Sequence, residues 1–216
     1  MERHAFALEI RENCRNSFRT LLKKIWPDTV SLLDRIQADN VSLWNIEDLV
    51  FGYLETEQTP ELSEDLLTAY TEREQKILPY ARFISRPLEG MRLMYEDFGI
   101  VRKDKSLIRH RVFITRLKPG MQEEYKARHD RLIEARNGKI TEGPDSNFSI
   151  WNAEDYIFGY DEIDVTMEKE ETEASRAASI AWETRMLEIM DWYTDDVDWI
   201  SHQRHGHIIR LAHYRH

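Results

Sequence analysis

The chain of 216 residues lacks several features that define large classes of protein. It has a single cysteine, Cys14, which excludes an intrachain disulfide and favours a reducing compartment. No stretch approaches the roughly 18 consecutive apolar residues that a membrane span needs. Charged residues also interrupt the N-terminal MERHAFALEIREN, where a signal peptide needs an apolar core. We therefore expect a soluble, cytoplasmic protein with no membrane partner.

Positive charge is also scarce. Lysine and arginine total 30 against 40 aspartates and glutamates, which gives a net charge of −10. Such a surface repels phosphate backbones, so a nucleic-acid partner is not expected. Apolar residues nevertheless make up 41% of the chain and aromatic residues 11%, a composition typical of a chain that folds around a core.

The sequence is organised around a stretch that it contains twice. Residues 40–55 read NVSLWNIEDLVFGYLE and residues 147–162 read NFSIWNAEDYIFGYDE, with 10 of 16 positions identical at a constant offset of 107 residues. Each copy has an aromatic, β-branched run, a short connector with Asn and Asp, and a second such run. This pattern is typical of a β-hairpin. The chain therefore contains two related units.

Other elements recur around each hairpin in the same order. Alternating runs predict an opening strand in each unit, and apolar spacing predicts a helix from Cys14 to Ile36, broken near Pro27, with a counterpart over about 119–136. Second helices are expected at about 62–83 and 175–192, each followed by a closing strand, because residues 91–93 resemble residues 209–211.

Each unit therefore reads β-α-β-β-α-β, which is the ferredoxin-like order in the α+β class. We place the units at residues 1–100 and 108–216. Because one such sheet leaves a face that a second copy can cover, the two sheets are expected to form an intrachain pseudo-dimeric α/β barrel. The chain would then be either a monomer, as an intrachain pseudo-dimer, or a homodimer.

Only the second unit carries a candidate proton-transfer pair. Tyr125 and His129 are four residues apart, which places a phenol and an imidazole on one face of the predicted helix. An imidazole, with an ordinary pKa of about 6.5, is a natural proton shuttle near neutral pH. At the same offset of 107, the first unit has Phe18 and Leu22. This asymmetry is expected if one unit is active and the other is scaffold.

The second half resembles the L-rhamnose mutarotase family, which consists of small dimeric α/β-barrel proteins that interconvert sugar anomers. The motifs that carry the resemblance are Glu123-Glu124-Tyr125 with Arg128-His129, then residues 147–151 (NFSIW) and residues 157–160 (IFGY). The first half is similar to the same family through Ile25-Trp26-Pro27 and its own copy of the hairpin. Together the two resemblances cover nearly the whole chain.

The resemblance implies a sugar isomerase that needs neither cofactor nor metal. It implies that His129 is the acid/base group, Tyr125 its partner and Trp182 part of the wall that faces the sugar. Four further residues are predicted to bind substrate: Trp151, Asn147, Phe148 and Tyr160. An aromatic wall suits a 6-deoxy sugar, whose methyl group and C–H bonds form an apolar face.

Some positions depart from the family pattern and leave alternatives open. Residues 132–134 read LIE where the family has IWP, Phe148 replaces a tyrosine, and Trp182 is followed by Glu183 instead of a second tryptophan. One alternative is a cofactor-free barrel enzyme, an oxygenase, cyclase or isomerase, that acts on an aromatic molecule. Another is a non-catalytic binding protein.

Five histidines lie near the C-terminus: His202, His205, His207, His213 and His216. His205 and His207 would share one face of a strand and could form a metal pair. No cysteine or carboxylate stands at a metal-ligand spacing, so we favour a polar closing strand, with one or two imidazoles near a pocket, over a metal site.

Overall fold

The computed structural model describes residues 1–193 and 207–216. The chain forms two compact units. Unit 1 contains Met1–Met91 together with Ile209–His216, and unit 2 contains Arg92–Ile208. Among the described residues, no helix is both long enough and apolar enough to span a membrane.

Ten strands and four helices make up the described residues. In chain order they are β1 (Glu2–Ile10), α1 (Arg15–Arg35), β2 (Asp39–Ile46), β3 (Leu49–Thr56), α2 (Glu64–Ile77), β4 (Ala81–Ser85), β5 (Arg92–Asp97), β6 (Ile108–Leu117), α3 (Gln122–Arg136), β7 (Asp145–Ala153), β8 (Tyr156–Asp164), α4 (Glu173–Met186), β9 (Met190–Trp192) and β10 (Ile209–Tyr214).

Each unit has one five-stranded antiparallel sheet, with order β10-β2-β3-β1-β4 in unit 1 and β5-β7-β8-β6-β9 in unit 2. Four strands of each sheet, with the two helices, follow the ferredoxin-like order. The predicted α+β class with two ferredoxin-like units is confirmed. The closing of the two sheets into one barrel stays a prediction.

The fifth strand of each sheet comes from the other half of the sequence. β5 pairs with β7 in unit 2, and β10 pairs with β2 in unit 1. The units therefore differ from the predicted ranges 1–100 and 108–216, in which each closing strand stayed with its own half. The reason is physical: a strand pairs through backbone N–H and C=O groups, so similarity between residues 91–93 and 209–211 identifies equivalent strands without showing which sheet receives them.

Helix α1 continues through Pro27, where the sequence predicted a break. Proline removes one backbone hydrogen bond from a helix interior. Pro27 is exposed, so the carbonyl that loses its partner lies on the solvent side of the helix. The opposite face buries Phe18, Leu22, Ile25 and Leu33. The apolar packing of this face holds the helix together across the proline.

The repeated residues build the same scaffold in both hairpins. In unit 2 the Asn152 amide donates to the carbonyls of Glu154 and Tyr156, both at 2.9 Å. The Asn45 amide makes the equivalent bonds in unit 1. Glu154 has a positive φ of 52°, and its unit 1 counterpart Glu47 has 47°. The shared Asn and Glu therefore shape the tight turn that joins the two strands.

A shared glycine in each hairpin makes room for an aromatic ring. A Cβ on Gly159 would lie 2.1 Å from the ring of Phe113, and one on Gly52 would lie 2.1 Å from the ring of Phe6. Side-chain atoms do not approach this closely, so the ring occupies the place of the missing side chain.

We predict that Gly159→Ala lowers the free energy of unfolding by about 2 kcal/mol or more, because the Phe113 ring must leave its position. Gly143→Ala is the matched control, since its Cβ would meet only Thr141 Cγ2 at 3.9 Å. Urea unfolding measures both variants. Equal stability of the two would contradict the proposed role of the glycine.

Candidate functional site

Unit 2 contains a cavity of about 220 Å³ against the helix-bearing face of its sheet. Strands β5, β6, β7 and β9 and helices α3 and α4 contribute side chains to its wall. Four of the seven predicted site residues line it: Tyr125, His129, Phe148 and Trp182. The structure therefore brings the predicted pair together with two of the predicted aromatic residues.

His129 lies on α3 among three aromatic rings. Its ring stacks on Tyr125 with centroids 4.3 Å apart, and Tyr95 and Trp182 meet it edge-on at 5.3 and 5.2 Å. Only 4% of the residue is exposed. The spacing of four residues along the helix produces the stack with Tyr125, as the sequence predicts.

The hydrogen bond of His129 fixes its tautomer. Nδ1 lies 2.9 Å from the carbonyl oxygen of Tyr125, one helical turn earlier. A carbonyl only accepts, so Nδ1 carries the proton and donates it, and in the neutral ring Nε2 keeps its lone pair. Burial lowers the pKa of His129 to about 4, and the Tyr125 carbonyl opposes this shift only in part. The ring is therefore neutral at pH 7, with Nε2 as a base.

Two phenols accompany the imidazole in the cavity wall. Burial raises the pKa of Tyr125 well above its ordinary value. Burial also raises the pKa of Tyr95, against the opposing charge of Arg136. Both phenols therefore stay protonated at neutral pH and act as hydrogen-bond donors. The cavity combines one neutral base with two weak acids.

The other three predicted site residues do not line the cavity. Trp151 donates its indole N–H to Ser149 Oγ at 2.9 Å, and Tyr160 donates to Glu162 Oε1 at 2.9 Å. Asn147, with φ of 55°, donates to the same carboxylate oxygen at 3.3 Å. All three are buried in unit 2.

The same contacts occur in unit 1. Trp44 donates to Ser42, while Tyr53 and Asn40 both donate to Glu55. These three residues therefore hold the hairpin in each unit and do not belong to the cavity. Their presence in both copies indicates a structural role, although aromatic and amide side chains are also typical of sugar sites.

Nine residues of the cavity wall were not predicted as site residues from the sequence, and three of them carry a hydroxyl, guanidinium or carboxyl group. Tyr95 enters from β5, which was assigned to the first half of the chain. Glu183, only 1% exposed, accepts a hydrogen bond from the indole of Trp192. Arg111 comes from β6. One of them could have been found by comparing the two halves at offset 107: Arg111 corresponds to His4, so the two units differ at this position.

Arg111 is held beside the cavity by a buried carboxyl group. Its Nη2 lies 3.0 Å from Asp161 Oδ2, and its guanidinium lies 5.4 Å from the centre of the Phe148 ring. Burial raises the pKa of Asp161 to about 7, with Arg111 opposing the shift and Asp145 reinforcing it. The Asp161 position is Leu54 in unit 1, so this charged pair also belongs to unit 2 alone.

The histidines near the C-terminus do not line this cavity where the structure describes them. His213 lies on β10 with Nδ1 3.0 Å from the carbonyl of Val41, and His216 lies 3.4 Å from Asp34. His202 and His205 lie outside the described residues. Within residues 1–193 and 207–216, no three His, Cys, Asp or Glu side chains are grouped as metal ligands.

Comparison with known proteins gives one family match. The family model described as L-rhamnose mutarotase matches residues 110–208, which lie within unit 2. No curated protein matches the chain. Among solved structures, a crystal structure of a candidate monooxygenase from Fusobacterium nucleatum covers 99% of this chain and 93% of its own, with 10% identity and a TM-score of 0.46.

The buried imidazole should make stability depend on pH. The pKa of His129 is lower in the folded chain than the ordinary 6.5. The contribution of the neutral ring to the free energy of unfolding is therefore fully present above pH 6.5 and is lost as the pH falls toward 4. We predict that His129→Leu, which introduces the unit 1 residue, reduces the loss of unfolding free energy between pH 7 and pH 4 by about 3 kcal/mol. Urea unfolding at both pH values measures this difference. Equal losses in wild type and variant would show that His129 is not buried as a neutral ring.

Proposed function

We propose that unit 2, which matches the L-rhamnose mutarotase family over residues 110–208, interconverts the anomers of a 6-deoxy or related sugar by general acid–base catalysis. The observation that carries the proposal is the position of His129, buried in a cavity with its Nδ1 committed to the Tyr125 carbonyl. A neutral base with two phenols beside it is what anomer exchange requires. No cofactor and no metal take part in the proposed reaction.

The reaction moves two protons and breaks one bond. His129 Nε2 takes the proton of the anomeric hydroxyl while a phenol, Tyr125 or Tyr95, gives its proton to the ring oxygen. The bond between the anomeric carbon and the ring oxygen breaks, and the aldehyde rotates about the adjacent C–C bond. Reclosure on the other face returns both protons, so His129 and the phenol regain their starting forms.

The environment of His129 suits this exchange. The stacked arrangement places the imidazolium formed during the reaction beside the phenol that loses its proton. Opposite charges at this distance stabilise each other, which offsets the raised pKa of the phenol. The buried position excludes water from the rings, so the attraction is stronger than it would be in solvent.

The cavity wall fits a single sugar ring. Its volume of about 220 Å³ lies below the roughly 300–1,000 Å³ of pockets for drug-sized ligands. Trp182, Phe148 and Trp192 offer aromatic surface to the C–H face of a sugar, and Met186 and Leu132 offer contacts for a methyl group. Arg111 and Glu183 can hold ring hydroxyls at the same wall.

The test is the exchange rate between the anomers of L-rhamnose, measured by saturation transfer in NMR. We predict that the wild-type chain accelerates exchange and that His129→Gln reduces the catalysed rate by about 100-fold or more, the usual contribution of a general base. His213→Gln is the matched control, because His213 also binds a backbone carbonyl through Nδ1 but lies in unit 1. Its rate should equal that of wild type. Equal rates for wild type and His129→Gln would contradict the proposal.

An aromatic substrate is the second candidate, because most of the cavity wall is apolar or aromatic. In that case His129 would act as a base on a phenol or enol of an aromatic molecule. A titration with matched panels of 6-deoxy sugars and phenols distinguishes a sugar substrate from an aromatic one. The indole signal of Trp182 reports the binding. We expect the sugars to shift that signal at millimolar concentration. A response to phenols alone would favour the second candidate, and no response to either would favour a non-catalytic protein.

A further inference from the structure

Unit 1 has apolar side chains where the unit 2 cavity has its phenol and imidazole, and it has a cation where unit 2 has a tryptophan. Phe18 and Leu22 occupy the positions of Tyr125 and His129. Helices α2 and α4 both have 14 residues, and aligning them end to end places Arg73 at the position of Trp182. The equivalent cavity has a volume of only about 60 Å³ and is lined by Phe18, Leu22 and Arg73, among others.

A larger cavity of about 240 Å³ lies beside it in unit 1, and Arg73 lines both. We call it the leucine-lined cavity, because its wall contains Leu32, Leu33, Leu54, Leu62, Leu66 and Leu67. Leu62 and Leu67 are unusually exposed for leucine, at 41% and 44%. Apolar surface left in water at the mouth of a cavity is expected where a ligand covers it.

Arg73 brings a poorly compensated positive charge to this apolar wall. Its guanidinium donates to the hydroxyl of Thr29, and none of the described residues places a carboxylate within ion-pair distance of it. Burial lowers the pKa of Arg73 to about 10, and Tyr70 and the exposed Asp28 oppose this shift. Arg73 is half-buried, and an arginine withdrawn from water is usually paired with an anion. The charge can therefore bind an anion from outside the chain.

The acidic residues nearby already have a partner of their own. Arg86 lies 3.1 Å from Glu74 and 3.6 Å from Glu89, the one carboxylate that lines the cavity. The Tyr70 hydroxyl is buried in the same wall with no hydrogen bond of ordinary geometry among the described residues, although Glu74 is close enough to raise its pKa. The Tyr70 hydroxyl is thus a second donor in the same wall as Arg73, within reach of Glu74.

The connection that covers this cavity is strained. Leu88 lines the cavity with a positive φ of 64°, a conformation that is rare for a branched side chain. Such strain persists where the surroundings impose it, and it is concentrated at binding sites. Leu88 therefore adds an apolar side chain to the wall in a conformation that its surroundings impose.

We propose that the leucine-lined cavity binds an aliphatic monocarboxylate, with its carboxylate on Arg73 and its chain against the leucines. The apolar side chains of the wall are aliphatic apart from Tyr70, which favours an alkyl chain over an aromatic ring. About 240 Å³ is roughly eight times the 30 Å³ share of one water molecule, so a ligand of about eight to ten non-hydrogen atoms fits. Octanoate has this size.

The experiment compares octanoate with 1-octanol, which has the same chain and no charge, by titration calorimetry on the full chain. We predict that wild type binds octanoate at least tenfold more tightly than octanol. Arg73→Met should lose this preference and should melt at the same or a higher temperature without ligand, because it removes a half-buried cation that has no carboxylate partner among the described residues. Arg73→Gln, which can still bond to Thr29, gives a second test of the same loss.

Two controls locate the site. Arg82→Gln removes a partly exposed arginine of unit 1 that pairs with Glu9 and does not line the cavity, so octanoate affinity should stay as in wild type. His129→Gln should also leave it unchanged, because that residue lies in the cavity of unit 2. The proposal is overturned if octanoate does not bind at millimolar concentration, if octanol binds equally well, or if both Arg73 variants bind like wild type. It is also overturned if His129→Gln abolishes binding.

Discussion

The pairing of β5 with β7 is the contact on which the candidate site depends. It places Tyr95 opposite Ile150 in the sheet of unit 2, where its ring lies 5.3 Å from His129 and 5.4 Å from Phe148. β5 precedes the rest of unit 2 in the sequence and follows the last strand of the first ferredoxin-like unit. The cavity is therefore completed by a strand from the first half of the chain, and an isolated fragment that starts at residue 108 would lack part of its wall.

Removal of water from around His129 determines what the site can do. In water an imidazole has an ordinary pKa near 6.5 and is partly charged at neutral pH. Here the surrounding rings lower the pKa to about 4, and the Tyr125 carbonyl holds the proton on Nδ1. In the proposed reaction the imidazole acts as the base, and a phenol supplies the proton for the ring oxygen of the sugar. Burial thus assigns the two roles to two different groups.

The sequence was sufficient for the element order and for the Tyr125–His129 pair, because both follow from periodicity within one segment. The sequence did not reveal that β5 pairs in unit 2 and β10 in unit 1, because strands pair through backbone groups and the side chains of residues 92–97 do not indicate the partner strand. Trp151 and Tyr160 were predicted as site residues because aromatic character is common to cores and sugar sites. Tyr95, Arg111 and Glu183 were missed because their place in the cavity comes from contacts distant in sequence. Differences between the halves indicate function better than shared residues do.

The two units have different chemistry at equivalent positions: a neutral base and phenols in unit 2, apolar side chains and a half-buried cation in unit 1. The proposed function requires that His129 is a neutral base that faces the ligand. An NMR titration of its imidazole nitrogens with ¹⁵N-labelled protein measures this. We predict a neutral ring protonated on Nδ1, a pKa of about 4, and a change in the Nε2 signal when L-rhamnose is added. A pKa near 6.5 with an Nε2 signal unaffected by the sugar would contradict it.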